Sequence, residues 1–154
     1  MGLDNIPKNY PCKAKGSAVT VQVMAGDEQI DQIDCKATQE AGGCPYLNAN
    51  PPTEGRVYGM LGTDCWYRGK YGNHLLETVH GSPSQSFYGD NEDGTEKSAE
   101  SCVRLANYIK GILALYDDSE PLDEEQMAVK IGLIYAEWYL RWAAEQADGL
   151  VCWY

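Results

Sequence analysis

Two long stretches of helical periodicity, separated by a short acidic break, constrain this chain most. From Thr95 to Tyr116, the residues Ala99, Cys102, Ala106, Ile109, Ile112, Leu113 and Tyr116 recur at helical spacing and fall on one face. Asp117-Asp118-Ser119-Glu120-Pro121 breaks the pattern. Asp123-Glu124-Glu125-Gln126 then has the form of a capping box, with Asp123 as N-cap and Gln126 reaching back. Its acids also sit at the positive end of the helix dipole. The second helix is predicted to run to about Ala147, with Gly149 as its stop. A stripe of Met127, Ile131, Ile134, Trp138 and Trp142 is read as its core face, with Leu133, Tyr135, Tyr139 and Leu140 adding apolar character elsewhere. Glu137 and Arg141 are spaced to pair. A helix apolar nearly all round is central in a fold or packed in an oligomer, so homo-oligomerisation through residues 123–147 is one expectation.

The N-terminal half reads differently. Residues 1–16 are expected to be an irregular arm, because Ile6-Pro7 and Tyr10-Pro11 favour extended backbone before each proline. Ala18 to Met24 alternates and is β-rich, which predicts a strand. Ala25-Gly26-Asp27-Glu28 is a turn, and Gln29 to Cys35 returns as a second strand. Residues 36–55, rich in Gly, Pro and Asn, read as a long loop of the kind that is functional or tied down by a covalent or metal link. Arg56 to Leu61 reads as another strand, residues 80–94 as a second polar loop, and Leu150 to Tyr154 as a final strand or a tail on the core.

The chain has 154 residues, 44% apolar and 23% charged, enough for one core. The fold is therefore expected to be α+β in a single domain, 1–154: a small irregular antiparallel sheet in the loop-rich part, 1–80, packed against two C-terminal helices in the part 95–147. No stretch reaches the length of a membrane span, and the first residues have no basic region followed by an apolar run. A cytoplasmic, membrane-free protein is expected.

Net charge is −11, unevenly split: −2 over residues 1–80 and −9 over residues 81–154. Nucleic-acid binders need basic surface to displace counterions, so a direct nucleic-acid ligand is excluded. An acidic surface serves solubility, or meets a basic partner.

Six cysteines occur. Cys102 lies on an apolar helix face and Cys152 sits beside Val151 and Trp153, so both read as packed thiols. Cys12, Cys35, Cys44 and Cys65 all lie in the loop-rich half. Four thiolates suit a tetrahedral structural zinc, which would order a Gly/Pro-rich segment. The spacing contains no Cys-x-x-Cys pair, and unligated thiols, an iron–sulfur cluster and disulfides stay open beside zinc. A nucleophilic Cys65 would need His74 or His80 as its base, and no nucleophile motif surrounds it.

The segment from Asp64 to His74 is the densest in recognition chemistry. Trp66, Tyr67 and Tyr71 supply flat rings, Arg68 and Lys70 positive charge, and Asn73 and His74 directional hydrogen bonds. Such a set suits a small anionic, stackable ligand, or else an edge strand with solvated cations. Asp90 to Glu100 resembles a calcium loop in part, but Gly89 would fall at the first ligand position, so an acidic capping loop is the better account. No P-loop, GxGxxG, GxSxG or HExxH motif occurs. The leading expectation is a non-enzymatic acidic binding protein, an adaptor or inhibitor, recognising a macromolecular partner or a small anionic ligand. A small hydrolase or lyase working around residues 64–74, and a structural subunit of an assembly, are the alternatives.

Overall fold

The computed structural model describes residues 4–52, 67–68, 87–116 and 119–153, and its fold is α+β. In chain order it has β1 (Asp4–Pro7), α1 (Pro11–Ala14), β2 (Thr20–Ala25), β3 (Glu28–Ile33), α2 (Cys35–Glu40), α3 (Pro45–Asn48) and β4 (Tyr67–Arg68). There follow β5 (Glu96–Ser98), α4 (Ala99–Leu113), α5 (Glu124–Ala147) and β6 (Gly149–Trp153). A four-stranded antiparallel sheet has the order β4-β1-β6-β5, and β2-β3 form a separate two-stranded sheet.

The main sheet draws on both halves of the chain. The expected arm at residues 1–16 contributes β1, whose Asn5, Ile6 and Pro7 are buried. Pro7 is tolerated because Lys8 N–H bonds Gly149 O at 3.0 Å. Side alternation then turns the missing donor of Pro7 toward the β4 side, where pairing reaches only Asp4 and Asn5. Leu150 to Trp153, read as strand or tail, is the strand β6 and lies centrally between β1 and β5.

Both long helices form within the predicted stretches, though the first spans Ala99–Leu113 and not Thr95–Tyr116. Ser98 caps α4 by accepting the Ser101 N–H at 3.1 Å, so the three residues before Ala99 are free to be strand β5. At α5, Asp123 Oδ1 accepts Gln126 N–H at 2.7 Å and Gln126 Oε1 accepts Asp123 N–H at 3.1 Å, which completes the capping box. Asp148 in the left-handed region and Gly149 at φ +108° end the helix. The predicted Glu137–Arg141 pair forms at 3.0 Å.

The core-facing side of α5 differs from the predicted stripe. Leu133, Tyr135, Ala136, Tyr139, Leu140 and Ala143 are fully buried, while Met127 and Ile134 are exposed and Trp138 is half-buried. On a helix apolar nearly all round, period alone cannot choose the face. Packing on Leu105, Ala106 and Ile109 of α4 and on Leu150 and Cys152 of β6 chooses it. Tyr46 of α3 enters the same core, with its hydroxyl 2.6 Å from that of Tyr135 and its ring edge-on to Trp138 and Trp142.

The region read as one long loop, 36–55, contains two short helices. Asp34 caps α2 by accepting Ala37 N–H at 3.0 Å, and Pro45 opens α3 at its first turn. The expected strand at Arg56–Leu61 lies outside the described residues. Among the described residues, no helix is long and apolar enough to cross a membrane.

Candidate functional site: a cysteine pocket beneath an open hairpin

Three of the four cysteines singled out from the sequence meet at one place. Cys12 lies in α1, Cys35 opens α2 and Cys44 is the N-cap residue of α3. All three line one small pocket, together with Ile33, Tyr46 and Trp142. Local hydrogen bonds fix these short elements against each other. Ser17 Oγ donates to Gly43 O at 2.7 Å and to Cys12 O at 3.3 Å. Thr38, buried, donates to Asp34 O at 2.8 Å and accepts Val19 N–H at 2.9 Å. A side chain at Gly43 would run into Ser17 O, so only glycine permits that approach.

The pocket measures about 20 Å³. That is room for about one water molecule, far below the several hundred Å³ of a small-molecule site. Its chemistry is apolar carbon plus sulfur. Burial pushes the Cys12 thiol up; a backbone hydrogen bond at Lys13 opposes this, and the nearby Cys44 adds to the rise. The indole N–H of Trp142 finds no acceptor among the described residues, although Trp142 is 95% buried. Among the described residues, no three metal-ligand side chains are arranged to grasp an ion as they stand. The fourth predicted ligand, Cys65, lies outside the described residues.

The anionic-ligand set is mostly beyond reach as well. Trp66, Lys70, Tyr71, Asn73 and His74 lie outside the described residues. For Tyr67 and Arg68 the backbone alone is placed, as strand β4 against Asn5 and Asp4. Two larger grooves exist among the described residues. One, of about 370 Å³ between Lys15, Asn48 and Gln146, offers a single cation, and the other, of about 290 Å³ beside Leu115 and Tyr116, offers none.

The β2–β3 hairpin rises from this pocket, since Ile33 and Cys35 at its foot line the cavity. Among the described residues its strands pair only with each other, from Thr20↔Ile33 to Ala25↔Glu28. By strand alternation Val19, Val21, Val23, Ala25, Glu28, Ile30 and Gln32 share one largely apolar face, and Thr20, Gln22, Met24, Gln29, Asp31 and Ile33 the other. The apolar face is open: Val19, Val21 and Ile30 are 37%, 42% and 44% exposed. Between Gly16 and Cys35 the chain carries Asp27, Glu28, Asp31 and Asp34 and no lysine or arginine.

One buried cluster escaped the sequence reading. Lys97, on β5, is fully buried with its ammonium 3.8 Å from Asp90 Oδ2, which also accepts from Ser101 Oγ and lies 4.0 Å from Arg104. Burial pulls the Lys97 amine below its ordinary value, against the raising pull of Asp90 and of the Cys102 and Cys152 thiols. Lys97 lines none of the three pockets above, and we read it as a latch between β5, α4 and the loop at Asp90. The helical periodicity from Thr95 places Lys97 in a helix, so the sequence gives no sign that it is buried in a strand.

The chain matches no family model, no curated protein and no solved structure.

Proposed function

We propose that this chain is a non-enzymatic acidic binding protein, an adaptor or inhibitor, that takes a basic protein partner on the β2–β3 hairpin. The observation that carries this reading is the exposure of Val19, Val21 and Ile30 on one hairpin face, in a segment, 17–34, that holds four acids and no lysine or arginine. An isolated hairpin is marginal in water, and an exposed apolar strip rimmed by charge marks a contact surface. The acids select against acidic partners and speed encounter with basic ones. We place the protein in the cytoplasm, a compartment that keeps thiols such as Cys12, Cys102 and Cys152 reduced.

The test uses two extended peptides, one alternating valine with lysine and one alternating valine with glutamate, titrated calorimetrically into the full chain. Binding of the lysine peptide that weakens with salt, and weakens again in a Glu28→Lys/Asp31→Lys variant, is the expected result. Equal binding of both peptides, or of neither, overturns the reading.

A second reading rests on the meeting of Cys12, Cys35 and Cys44 at one pocket. With Cys65 as fourth ligand these thiols fit zinc by donor chemistry, and a bound cation would offset the cost of ionising a buried thiol. Zinc would then act as a staple at the foot of the hairpin. Native mass spectrometry decides: a zinc mass lost on denaturation supports it, and a bare chain in zinc-supplemented buffer refutes it.

A further inference from the structure

We propose that the outer edge of β2 is a self-association surface, on which a second copy of this chain adds its own β2 antiparallel to form one four-stranded sheet. The inference does not rest on the basic-partner reading, because it uses the edge of the hairpin and not its face.

The register within the hairpin fixes which backbone groups are free. Asp34 N–H bonds Val19 O at 2.8 Å, so Val19 O and the N–H and C=O groups of residues 21, 23 and 25 turn inward to β3, while Val19 N–H goes to Thr38 Oγ1. Thr20, Gln22 and Met24 therefore turn theirs outward, along an edge with no neighbouring strand among the described residues. All three residues are exposed. Natural proteins blunt such edges with charge, proline or a bulge. The segment Thr20-Val21-Gln22-Val23-Met24-Ala25 has none of these, and its β-propensity is high.

A two-fold axis through Gln22 uses every outward group. Gln22 then exchanges both of its hydrogen bonds with Gln22 of the second copy, and Thr20 does so with Met24. Val21 falls opposite Val23 across the axis, in the closer, non-hydrogen-bonded kind of pair. An axis through Val21 or Val23 would pair fewer of these groups. Both apolar faces end on the same side of the joined sheet, so one continuous strip forms from Val19, Val21, Val23 and Ile30 of each copy.

Charge favours this edge over the other. The hairpin acids sit on the turn and β3, one strand removed from the contact. At strand spacing the two β3 strands of the joined sheet stand about 14 Å apart. That is beyond the Debye length of about 8 Å at physiological salt. Pairing through β3 about its central outward residue would instead put Asp31 against its own copy and Glu28 opposite Asp34. The contact is also small for a protein interface, which predicts a dimer that dissociates on dilution.

The test is sedimentation of the full chain over a wide concentration range, with amide exchange read in parallel. Association that strengthens with salt, together with slowed exchange at Thr20, Gln22 and Met24 on concentration, is expected. A Gln22→Pro variant removes an outward N–H that the hairpin does not use, and is expected to stay monomeric. A wild-type chain that is monomeric up to millimolar concentration overturns the proposal. So does dimerisation without protection of those three amides, which would move the contact to the exposed Met127 and Ile134 of α5. The exchange result stands even if the proline variant fails to fold.

Discussion

Raising the pH should unfold this protein partly through one buried thiol, and the size of the effect follows from its surroundings. Cys102 is fully buried, and burial pushes its pKa from an ordinary 9.0 up to about 12, against the pull of Lys97. Below pH 9 both folded and unfolded chains keep the proton. Above it the unfolded chain releases the proton while the folded chain holds on. A pKa raised by folding thus gives stability that is full below the unfolded value and is lost as pH climbs toward the folded one. At pH 11 the loss comes to about 3 kcal/mol, at about 1.4 kcal/mol per pKa unit. Cys152, raised to about 11 by its own burial, works in the same direction. Lys97, lowered by burial, works the other way, and adds stability as pH rises through the window ending at 10.5. Comparing wild type with Cys102→Ala leaves both of those groups in place. Urea unfolding at pH 8, 9, 10 and 11 should show the wild type losing about 3 kcal/mol more than the variant between the ends of the series. Parallel pH profiles would refute the account of Cys102 as a thiol held protonated by the core.

Three further outcomes follow from the same structure. Asp123→Ala removes the acceptor for Gln126 N–H at the start of α5 and should cost about 1 kcal/mol in urea unfolding, with no change in m-value. Gly149→Ala combines a φ of +108° with a Cβ driven into the Lys97 carbonyl oxygen and 3.0 Å from the Ser98 carbonyl carbon, and should cost on the order of 3 kcal/mol or more, read as loss of soluble folded protein. Tyr46→Phe and Tyr135→Phe each remove the 2.6 Å bond between the two buried hydroxyls and should cost about 1 kcal/mol singly; the double variant should cost less than their sum in a thermodynamic cycle.

The helices were legible because their signals are local. Caps and periodicity lie within a few residues of each other, and Asp123, Gln126, Ser98 and Gly149 act where the sequence puts them. The buried face of α5 was not legible, since Met127 and Leu133 are equally apolar and only the neighbours on α4 and β6 separate them. The β2–β3 hairpin was readable from alternation around Gly26-Asp27. The main sheet was not, because Asn5 pairs with Cys152 across almost the whole chain and each strand is too short to show a period. Signals for α2 and α3 were present in Asp34 and Pro45 but were masked by the glycines and asparagines around them. For the site, spacing alone singled out four cysteines but could not bring Cys12, Cys35 and Cys44 together. That took the Ser17–Gly43 and Thr38–Val19 hydrogen bonds. The set at 66–74 and Cys65 gain no geometry beyond strand β4.

The placement of β6 has a kinetic side. It is the link through which β1 and β4 reach β5, yet it leaves the ribosome after every other described element. Until it arrives, the nascent chain holds one sheet in two unconnected parts, with Leu133, Tyr139 and Leu140 of α5 lacking part of their cover. Native-like collapse must therefore wait for residues 149–153, and loop closure between β1 and β6 spans nearly the full described chain, which predicts slow folding. A ribosome stalled before Gly149 would present an unfinished core to the chaperones that meet emerging chains.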